Sequence, residues 1–249
     1  MTHPYCPSTP CALPSCPVAT IDGECQGKPT LDAGLACASV SRPPKRKIIL
    51  HLCADIGSDS RPYQLDPAYD VICIGEEVGV QNFSATEKVH GIIANPVCTE
   101  FSTARGFHKK TDLEKGMFLV EHCLRIIREA SPKWWVMENP ANGKLNTKIG
   151  KPKAIYQPWQ YGSPWTKKTA LWGEFKMPPP LFSHWGQVPK IPELYWRPGR
   201  AKVSLAFLHK SAIEHIPEFE WAKPHINRDA DLRSLCSQGF ANAFKEANP

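Results

Sequence analysis

The stretch LEKGMFLVEHCLRIIREASPKWWVMENP, residues 113–140, decides the fold class. In its first part, apolar side chains recur at intervals of three and four residues, at Met117, Val120, Leu124 and Ile127. This spacing predicts a helix with one apolar face. The apolar run WWVM that follows predicts a buried strand. A helix that leads directly into a buried strand is typical of a sheet with parallel strands.

The segments before this stretch continue the same pattern. KIILHLCA (47–54), YDVICIG (69–75) and VHGIIANP (89–96) each have strand character. Strands that alternate with helices imply right-handed crossovers and a mostly parallel sheet, which places the chain in the α/β class. Three of these strands end in polar, loop-forming motifs. Because ligands bind at the carboxyl edge of such sheets, we expect the functional site there.

The charge balance of the 249 residues is mildly basic. Lys and Arg number 30 against 24 Asp and Glu, which gives a net charge of +6 and a pI near 8.8. This excess suits a polyanionic partner such as DNA, but a solvated basic surface has the same composition. Both interpretations stay open on charge alone.

The distribution of cysteines and apolar residues indicates the compartment. Half of the ten cysteines fall within the first forty residues, and the others lie singly along the rest of the chain. This pattern differs from that of a secreted disulfide scaffold and favours a reducing compartment. The sequence has neither a long apolar span nor a signal-peptide pattern at its start. We expect a soluble, cytoplasmic monomer with no membrane partner.

Composition divides the chain into four segments. Residues 1–44 are rich in Cys and Pro, and residues 45–175 carry the strand and helix pattern of a catalytic core. Residues 176–232 form a small insertion, and residues 233–249 predict a helix that returns to the core. In the first segment Cys6, Cys11 and Cys16 are separated by four residues instead of the two that are typical of a zinc knuckle. A zinc site and a flexible tail therefore both remain open for this segment.

The insertion mixes proline, tryptophan and basic residues, as in MPPPLFSHWGQVPKIPELYWRPGR (177–200). Aromatic rings between cations can stack on bases and neutralise phosphates, which makes this region a candidate for DNA recognition. Alternatively, Trp185, Tyr195 and Trp196 hold a long loop against the core. The sequence does not distinguish these two roles.

Three strand-end motifs carry chemistry: LHLCADIGSDS (50–60), NPVCTEFS (95–102) and VMENP (136–140). The glycine in the first lets a ligand approach the backbone, Cys98 supplies a nucleophile, and Glu138 supplies a proton. Each motif alone is a weak signal, because glycine turns, loop cysteines and surface glutamates are common.

Together and in this order, the motifs resemble those of the DNA cytosine-5 methyltransferases. The nucleophile loop of that family reads Pro-Cys-x-x-Phe-Ser, and its acid motif reads Glu-Asn-Pro. The matching residues are Cys98, Phe101 and Ser102, and then Glu138, Asn139 and Pro140. YGSPWTKKTALWG (161–173) is similar to the block that follows the acid motif. RSLCSQGFANAFKEANP (233–249) is similar to the ending of shortened, phage-type members.

The resemblance implies a Rossmann-like, S-adenosylmethionine-dependent fold, a DNA substrate and a bacterial or phage-infected host cell. It implies that Cys98 adds to carbon 6 of cytosine while Glu138 protonates ring nitrogen 3. Asn139 then positions the acid, and Ser102 lies near the nucleotide phosphate. The family carries Arg-x-Arg where this chain has TKKT, so Lys167 or Lys168 takes that place.

The resemblance also implies the cofactor residues. Asn95 and Pro96 belong to this set, and Glu76 is preferred to Glu77 as the acid that binds the ribose hydroxyls. The turn after the first strand contacts the methionine and adenosine parts through Leu52, Cys53, Ala54, Asp55 and Gly57. Two positions of that turn depart from the family, which has glycine in place of Asp55 and phenylalanine in place of Cys53.

Two other functions stay open. In one, Cys98 and Glu138 still activate cytosine, but the substrate is RNA or a free nucleotide, or the donor supplies a one-carbon group other than methyl; the altered cofactor turn motivates this alternative. In the other, the chain is a non-catalytic DNA-binding or antirestriction protein. The presence of both Cys98 and Glu138 argues against the second.

Overall fold

The centre of the protein is one sheet, which has six strands in the part of the chain that the structure describes. The structure is a computed structural model, and it describes residues 45–54, 56–102, 111–195, 199 and 201–249. The predictions for residues 1–44, including a zinc site, lie outside these residues. In chain order the strands are β1 (Lys47–Leu52), β2 (Tyr69–Ile74), β3 (Gly91–Ala94), β4 (Trp134–Pro140), β5 (Ala154–Tyr156) and β6 (Thr169–Glu174).

The strands are hydrogen-bonded in the order β2-β1-β3-β4-β6-β5. The pairs β1 with β2, β1 with β3, and β3 with β4 are all parallel. Strand β6 is antiparallel to both of its neighbours, β4 and β5. Five of these strands therefore run in one direction and β6 runs in the other. This confirms the predicted α/β class with a mostly parallel, Rossmann-like sheet.

Strand β4 extends further than the sequence indicates. The motif Glu138-Asn139-Pro140 was expected to leave the strand as a loop, but it is part of β4. The reason is β6, which pairs with β4 from Trp135 through Pro140 and so continues the ladder to the end of the motif. The acid motif is thus held on a paired strand. Pairing with a neighbour so distant in sequence is not visible in the local pattern of apolar residues.

The predicted helix is α2 (Leu113–Ala130), the longest of five described α-helices; the others are α1 (Arg61–Gln64), α3 (Asn146–Ile149), α4 (Asp229–Ser234) and α5 (Gln238–Ala247). It begins where the side chain of Asp112 accepts a hydrogen bond from the amide of Lys115, and it ends at Ser131 in a left-handed conformation. Val120 and Ile127 are buried as predicted. The helix is rotated slightly from expectation, since Cys123 is buried while Met117 and Leu124 are only partly so.

The two faces of the sheet are covered by different helices. Helix α2 packs on one face, through the cluster that contains Leu50, Ile92 and Met137. On the other face, α5 contributes Phe240 and Phe244 to a second cluster. The ring of Phe240 stacks on that of Tyr156 at 3.7 Å between centroids. Full burial of one such ring contributes roughly 1.5–3 kcal/mol to the stability of the fold. Helix α5, which buries two rings, therefore contributes substantially to that stability.

The stretch from residue 176 to α4 has no strand and no α-helix among its described residues, and its short helical turns are 3-10 helices. It has its own apolar cluster, in which Leu205 and Phe219 pack around the fully buried Trp165. The indole N–H of Trp185 donates to the carbonyl of Ala201 at 2.9 Å, so this ring does tie one part of the loop to another. Trp196 lies outside the described residues.

None of the described helices is both long enough and apolar enough to cross a membrane. The five cysteines that the structure describes (Cys53, Cys73, Cys98, Cys123 and Cys236) are free thiols.

Candidate active site

Cys98 lies just beyond the end of β3 and starts the 3-10 helix Cys98–Glu100. Its carbonyl accepts hydrogen bonds from the amides of Phe101 (2.9 Å) and Ser102 (2.8 Å), which closes a tight turn. The ring of Phe101 is fully buried and anchors this turn in the core. The half-buried Cys98 is therefore held in one place while it stays reachable from the edge of the sheet.

Helix α2 supports this turn from behind through Gly116. A Cβ atom at that position would lie 2.9 Å from Glu100 Cβ and 2.9 Å from the ring of Phe101. Only glycine lets the helix approach the turn so closely. The nucleophile loop therefore rests on the helix backbone itself.

Glu138 and Lys167 form an ion pair near the end of β4, with 3.7 Å between Oε1 and Nζ. Their side chains are only 16% and 21% exposed. The ammonium of Lys167 also donates to the carbonyls of Ser234 (3.1 Å) and Leu235 (3.4 Å) at the end of α4. Lys167 is thus fixed by two carbonyl acceptors and one ion pair, whereas Lys168 is exposed. Of the two lysines, the structure brings Lys167 to the acid.

Cys98, Glu138 and Lys167 interact electrostatically. Burial raises the pKa of the Cys98 thiol, the negative charge of Glu138 raises it further, and Lys167 opposes both. Burial also raises the pKa of Glu138, against the opposing effect of Lys167. Burial lowers the pKa of Lys167, but its acidic neighbours outweigh this and the net direction is upward. A thiol and a carboxyl whose pKa values are raised therefore share one site with a cation whose pKa is also raised.

The neighbouring loops are joined by buried polar side chains. Asn139 is fully buried, and its Nδ2 donates to the carbonyl of Pro96 at 2.9 Å. This bond connects the strand of the acid to the loop of the nucleophile. Asn139 Oδ1 is buried and has no hydrogen-bond partner among the described residues. Ser102, half-buried, is the last residue described before a gap.

His51 makes a second connection, which the sequence analysis missed. Its two ring nitrogens share hydrogen bonds with Ser60 Oγ (2.8 Å) and Asn95 Oδ1 (2.9 Å). The loop after β1 and the loop after β3 are therefore fixed to one buried ring. The available signal was a single histidine inside the apolar run IILHLC. Asn95 and Pro96 are predicted to contact the cofactor. In the structure Asn95 Oδ1 is hydrogen-bonded to the ring of His51, and the carbonyl of Pro96 accepts a hydrogen bond from Asn139.

The predicted cofactor turn follows β1. Leu52 and Ala54 are buried, and the Ala54 amide donates to the carbonyl of Ile74 at 3.1 Å, which joins the ends of β1 and β2. Cys53 has a left-handed backbone (φ 54°) and places its sulfur 3.7 Å from that of Cys123. Gly57 has φ 76°, a conformation that favours glycine. Asp55 lies outside the described residues.

The predicted ribose acid, Glu76, is exposed just past the end of β2, and so is Glu77. An exposed carboxylate at the end of the second strand, beside a glycine turn after the first, suits a ligand with two hydroxyls and an extended tail. The residues present thus fit a ligand that carries a pair of hydroxyls, such as a nucleoside. No group of three or more metal ligands occurs among residues 45–54, 56–102, 111–195, 199 and 201–249.

Asp59 is a further residue that the sequence analysis passed over. Its side chain and that of Glu138 line the same small cavity, of about 20 Å³, together with Cys236 and Phe240. This volume holds about one water molecule. The signal was present in GSDS, where an acidic residue follows the glycine of the first turn. Nothing in the sequence showed that this carboxyl faces the acid of a strand some eighty positions later.

Comparisons with known proteins give little. No family model matches the chain, and no curated protein matches it. A solved structure that is similar to it is provisionally described as a DNA modification methyltransferase encoded within an E. coli prophage. The sequence identity is 15% and the TM-score is 0.42. The match covers 60% of this chain and 54% of that one, so the chain spans about half the length of its structural neighbour.

Proposed function

We propose that the protein transfers a methyl group from S-adenosylmethionine to carbon 5 of cytosine in DNA, through a covalent adduct with Cys98. One observation carries the proposal: Cys98, Glu138 and Lys167, from three separate segments, interact electrostatically at the carboxyl edge of the sheet. A nucleophile, an acid that keeps its proton and a fixed cation are the groups that activation of a cytosine ring needs.

The role of Cys98 is to break the aromaticity of the ring. Carbon 5 of cytosine is a poor nucleophile, but addition of the Cys98 thiolate to carbon 6 makes it enamine-like. Because burial raises the pKa of Cys98, the thiol must lose its proton once the base is bound. Lys167, which lowers the pKa of Cys98, stabilises the resulting thiolate.

The role of Glu138 is to carry a proton to ring nitrogen 3 as the sulfur adds. Burial raises the pKa of Glu138, so its carboxyl favours the protonated form that this step requires. Asn139 keeps Glu138 and the nucleophile loop at a constant separation through its bond to Pro96. After carbon 5 has taken the methyl group it gives its proton to water, and the double bond between carbons 5 and 6 re-forms as the bond from carbon 6 to Cys98 sulfur breaks. The proton on nitrogen 3 then returns to Glu138.

S-adenosylmethionine, when bound, supplies an electrophilic methyl group. The turn after β1 and the exposed Glu76 after β2 would hold it, and the ligand would come close to the backbone at Gly57. A stacked cytosine cannot reach Cys98, so the base is flipped out of a duplex or is presented by a single strand. Segment 176–232 is the part of the chain proposed to face DNA, because aromatic and basic residues are mixed along it.

The deciding experiment is mass spectrometry of nucleosides from DNA incubated with the protein and S-adenosylmethionine carrying a deuterated methyl group. We expect labelled 5-methylcytosine. Labelled N4-methylcytosine or N6-methyladenine would retain a methyltransferase but overturn the Cys98 mechanism, because an amino group needs no activation at carbon 6. Absence of any labelled nucleoside in DNA would overturn the proposed substrate or donor.

A further inference from the structure

The loop that carries Asp59 is fixed on both sides. Ser58 Oγ accepts a hydrogen bond from the amide of Cys236 at 2.9 Å, and Ser58 O accepts one from the side chain of Gln238 at 3.1 Å. Ser60 Oγ is held by His51 at 2.8 Å. Both serines are buried. Asp59, between two anchored residues, therefore has a constant position in the cavity that it shares with Glu138.

The charges around this cavity do not balance. Lys167 is the one cation that acts on Glu138 among the described residues, and it faces the carboxyls of both Asp59 and Glu138. If both carboxyls were ionised, two negative charges would share one positive charge in a buried site. Like charges oppose each other, so the carboxyl of Asp59 adds to the effect of burial in raising the pKa of Glu138.

The carboxyl of Asp59 is also held by its neighbour, since Ser58 Oγ donates a hydrogen bond to Asp59 Oδ2 at 3.2 Å. Glu138 lies 3.7 Å from Lys167, too far for a hydrogen bond of ordinary length. The remaining titratable groups that face Glu138 are the thiols of Cys98 and Cys236 and the phenol of Tyr156. Burial raises the pKa of each of these three, so they are neutral around pH 7.

We propose that Asp59 is a positioning residue whose carboxyl, in the cavity that it shares with Glu138, opposes the effect of Lys167 and favours the protonated form of Glu138. The inference rests on the proposed function, because protonation of cytosine nitrogen 3 is what requires a neutral Glu138. Without Asp59, the positive charge of Lys167 would act on Glu138 with no acidic group to oppose it, and this favours the carboxylate. Glu138 would then hold less firmly the proton that the reaction uses.

The test is a titration of the Glu138 carboxyl by carbon-13 NMR of protein labelled at glutamate carboxyls. The Glu138→Gln variant assigns the signal. In Asp59→Asn we expect Glu138 to titrate at lower pH than in the wild type, and in Asp59→Glu, which keeps the charge, we expect it to titrate close to the wild type. Asp59→Ser, with a smaller neutral side chain, is measured alongside as a second removal of the charge. An unchanged or higher titration point in the two neutral variants overturns the inference.

This measurement uses neither DNA nor methyl donor, so its outcome is independent of the proposed reaction. The second readout is the pH profile of methyl transfer. In Asp59→Asn, the part of the pH–rate profile that depends on the protonation of Glu138 should move to lower pH. Turnover at neutral pH should fall, by no more than the roughly 10²–10⁴-fold that general acid catalysis contributes. A shifted NMR titration with no methyl transfer by the wild type would support the role of Asp59 and reject the proposed function. A uniform loss of turnover without displacement of the profile would indicate a structural role and reject the inference.

Discussion

The carboxyl edge of the sheet has two halves that are built differently. The first, the nucleophile half, is the part proposed to carry the reaction. Its ionisable groups are largely buried and shift one another's pKa; they belong to Cys98, Glu138 and Lys167. The second, the donor half, is the part proposed to bind the methyl donor. It consists of a backbone turn, which contains Cys53 and Gly57, and the exposed carboxylate of Glu76. In the donor half Cys53 points its sulfur toward Cys123 of α2 and therefore contributes packing in place of polar contacts.

The difference separates two requirements. Groups that make and break bonds must be held in position before the substrate arrives, and buried ion pairs and shared hydrogen bonds do this. A group that only binds a soluble ligand can rely on backbone shape and one exposed charge. Substitutions in the nucleophile half should therefore reduce the rate of reaction, whereas those in the donor half should reduce affinity.

The largest effect is expected for Cys98→Ser. A serine hydroxyl has nearly the volume of a thiol but does not supply the nucleophile, so methyl transfer should fall by about 10⁴-fold or more. DNA that contains 5-fluorocytosine cannot lose a proton from carbon 5, and it should give a stable adduct with the wild type and none with the variant. Cys73→Ser is the matched control, because Cys73 is an exposed thiol on β2. Full activity of Cys98→Ser would exclude a covalent mechanism.

Glu138→Gln should have the next largest effect. The amide keeps the shape of the side chain but does not donate an acidic proton, so turnover should fall by about 10²–10⁴-fold while DNA affinity changes little. Single-turnover kinetics separates the two quantities. Glu174→Gln, at an exposed position at the end of β6, serves as the control and should behave as the wild type. An equal loss in both variants would show that the effect does not arise from acid catalysis.

The same substitution predicts a change in the pH dependence of stability. Because the pKa of Glu138 is raised in the folded state, the folded protein binds this proton more tightly than the unfolded chain does. The stabilisation is fully present below the unfolded-state pKa and is lost as the pH rises through the folded-state pKa. Denaturant unfolding from acidic to neutral pH should show this decline in the wild type and less of it in Glu138→Gln. A steeper decline in the variant would contradict the assignment.

Lys167→Met and Lys168→Met should differ in stability although the two lysines are adjacent. Removal of Lys167 takes away the cation beside Glu138 and Asp59 and leaves the carbonyls of Ser234 and Leu235 without their donor. We expect a loss of about 2–3 kcal/mol in the free energy of unfolding. Lys168 is exposed, and its replacement should stay within about 0.5 kcal/mol. Similar values for both would mean that the ion pair and carbonyl contacts contribute little.

The smallest effect is expected in the donor half. Glu76→Gln removes a charged acceptor for two hydroxyls and should weaken the affinity for S-adenosylhomocysteine about tenfold, with no change in stability. Glu77→Gln removes the same charge one residue further from β2 and should leave the affinity unchanged. Isothermal titration calorimetry measures both. If Glu77→Gln has the larger effect, the ribose acid is Glu77; if neither variant nor the wild type binds, the donor is a different molecule.

The periodicity of the sequence predicted the mostly parallel class of the sheet, its strands β1 to β4 and helix α2 correctly, because these depend on local spacing of apolar residues. Pairing of β6 with β4 was not predictable in this way, since it depends on contacts between residues such as Glu138 and Leu171 that are far apart in sequence. The same holds within the site. Cys98 and Glu138 stand out because each follows an apolar run, whereas His51 and Asp59 act through partners in other segments. Two successive side chains point in different directions, so the backbone conformation just before β6 decides whether Lys167 or Lys168 lies beside Glu138. The sequence does not indicate this conformation.

The contacts at residues 234–238 have a consequence for the synthesis of the protein on the ribosome. Cys98, Glu138 and Lys167 leave the ribosome well before Ser234 and Leu235, whose carbonyls hold Lys167, and before Cys236 and Gln238, which hold the loop of Asp59. A nascent chain that has exposed β6 but not α5 therefore contains Cys98, Glu138 and Lys167 without the contacts that fix Lys167 and the loop of Asp59. The proposed site is expected to assemble late in translation, at the stage when the core around Phe240 also closes.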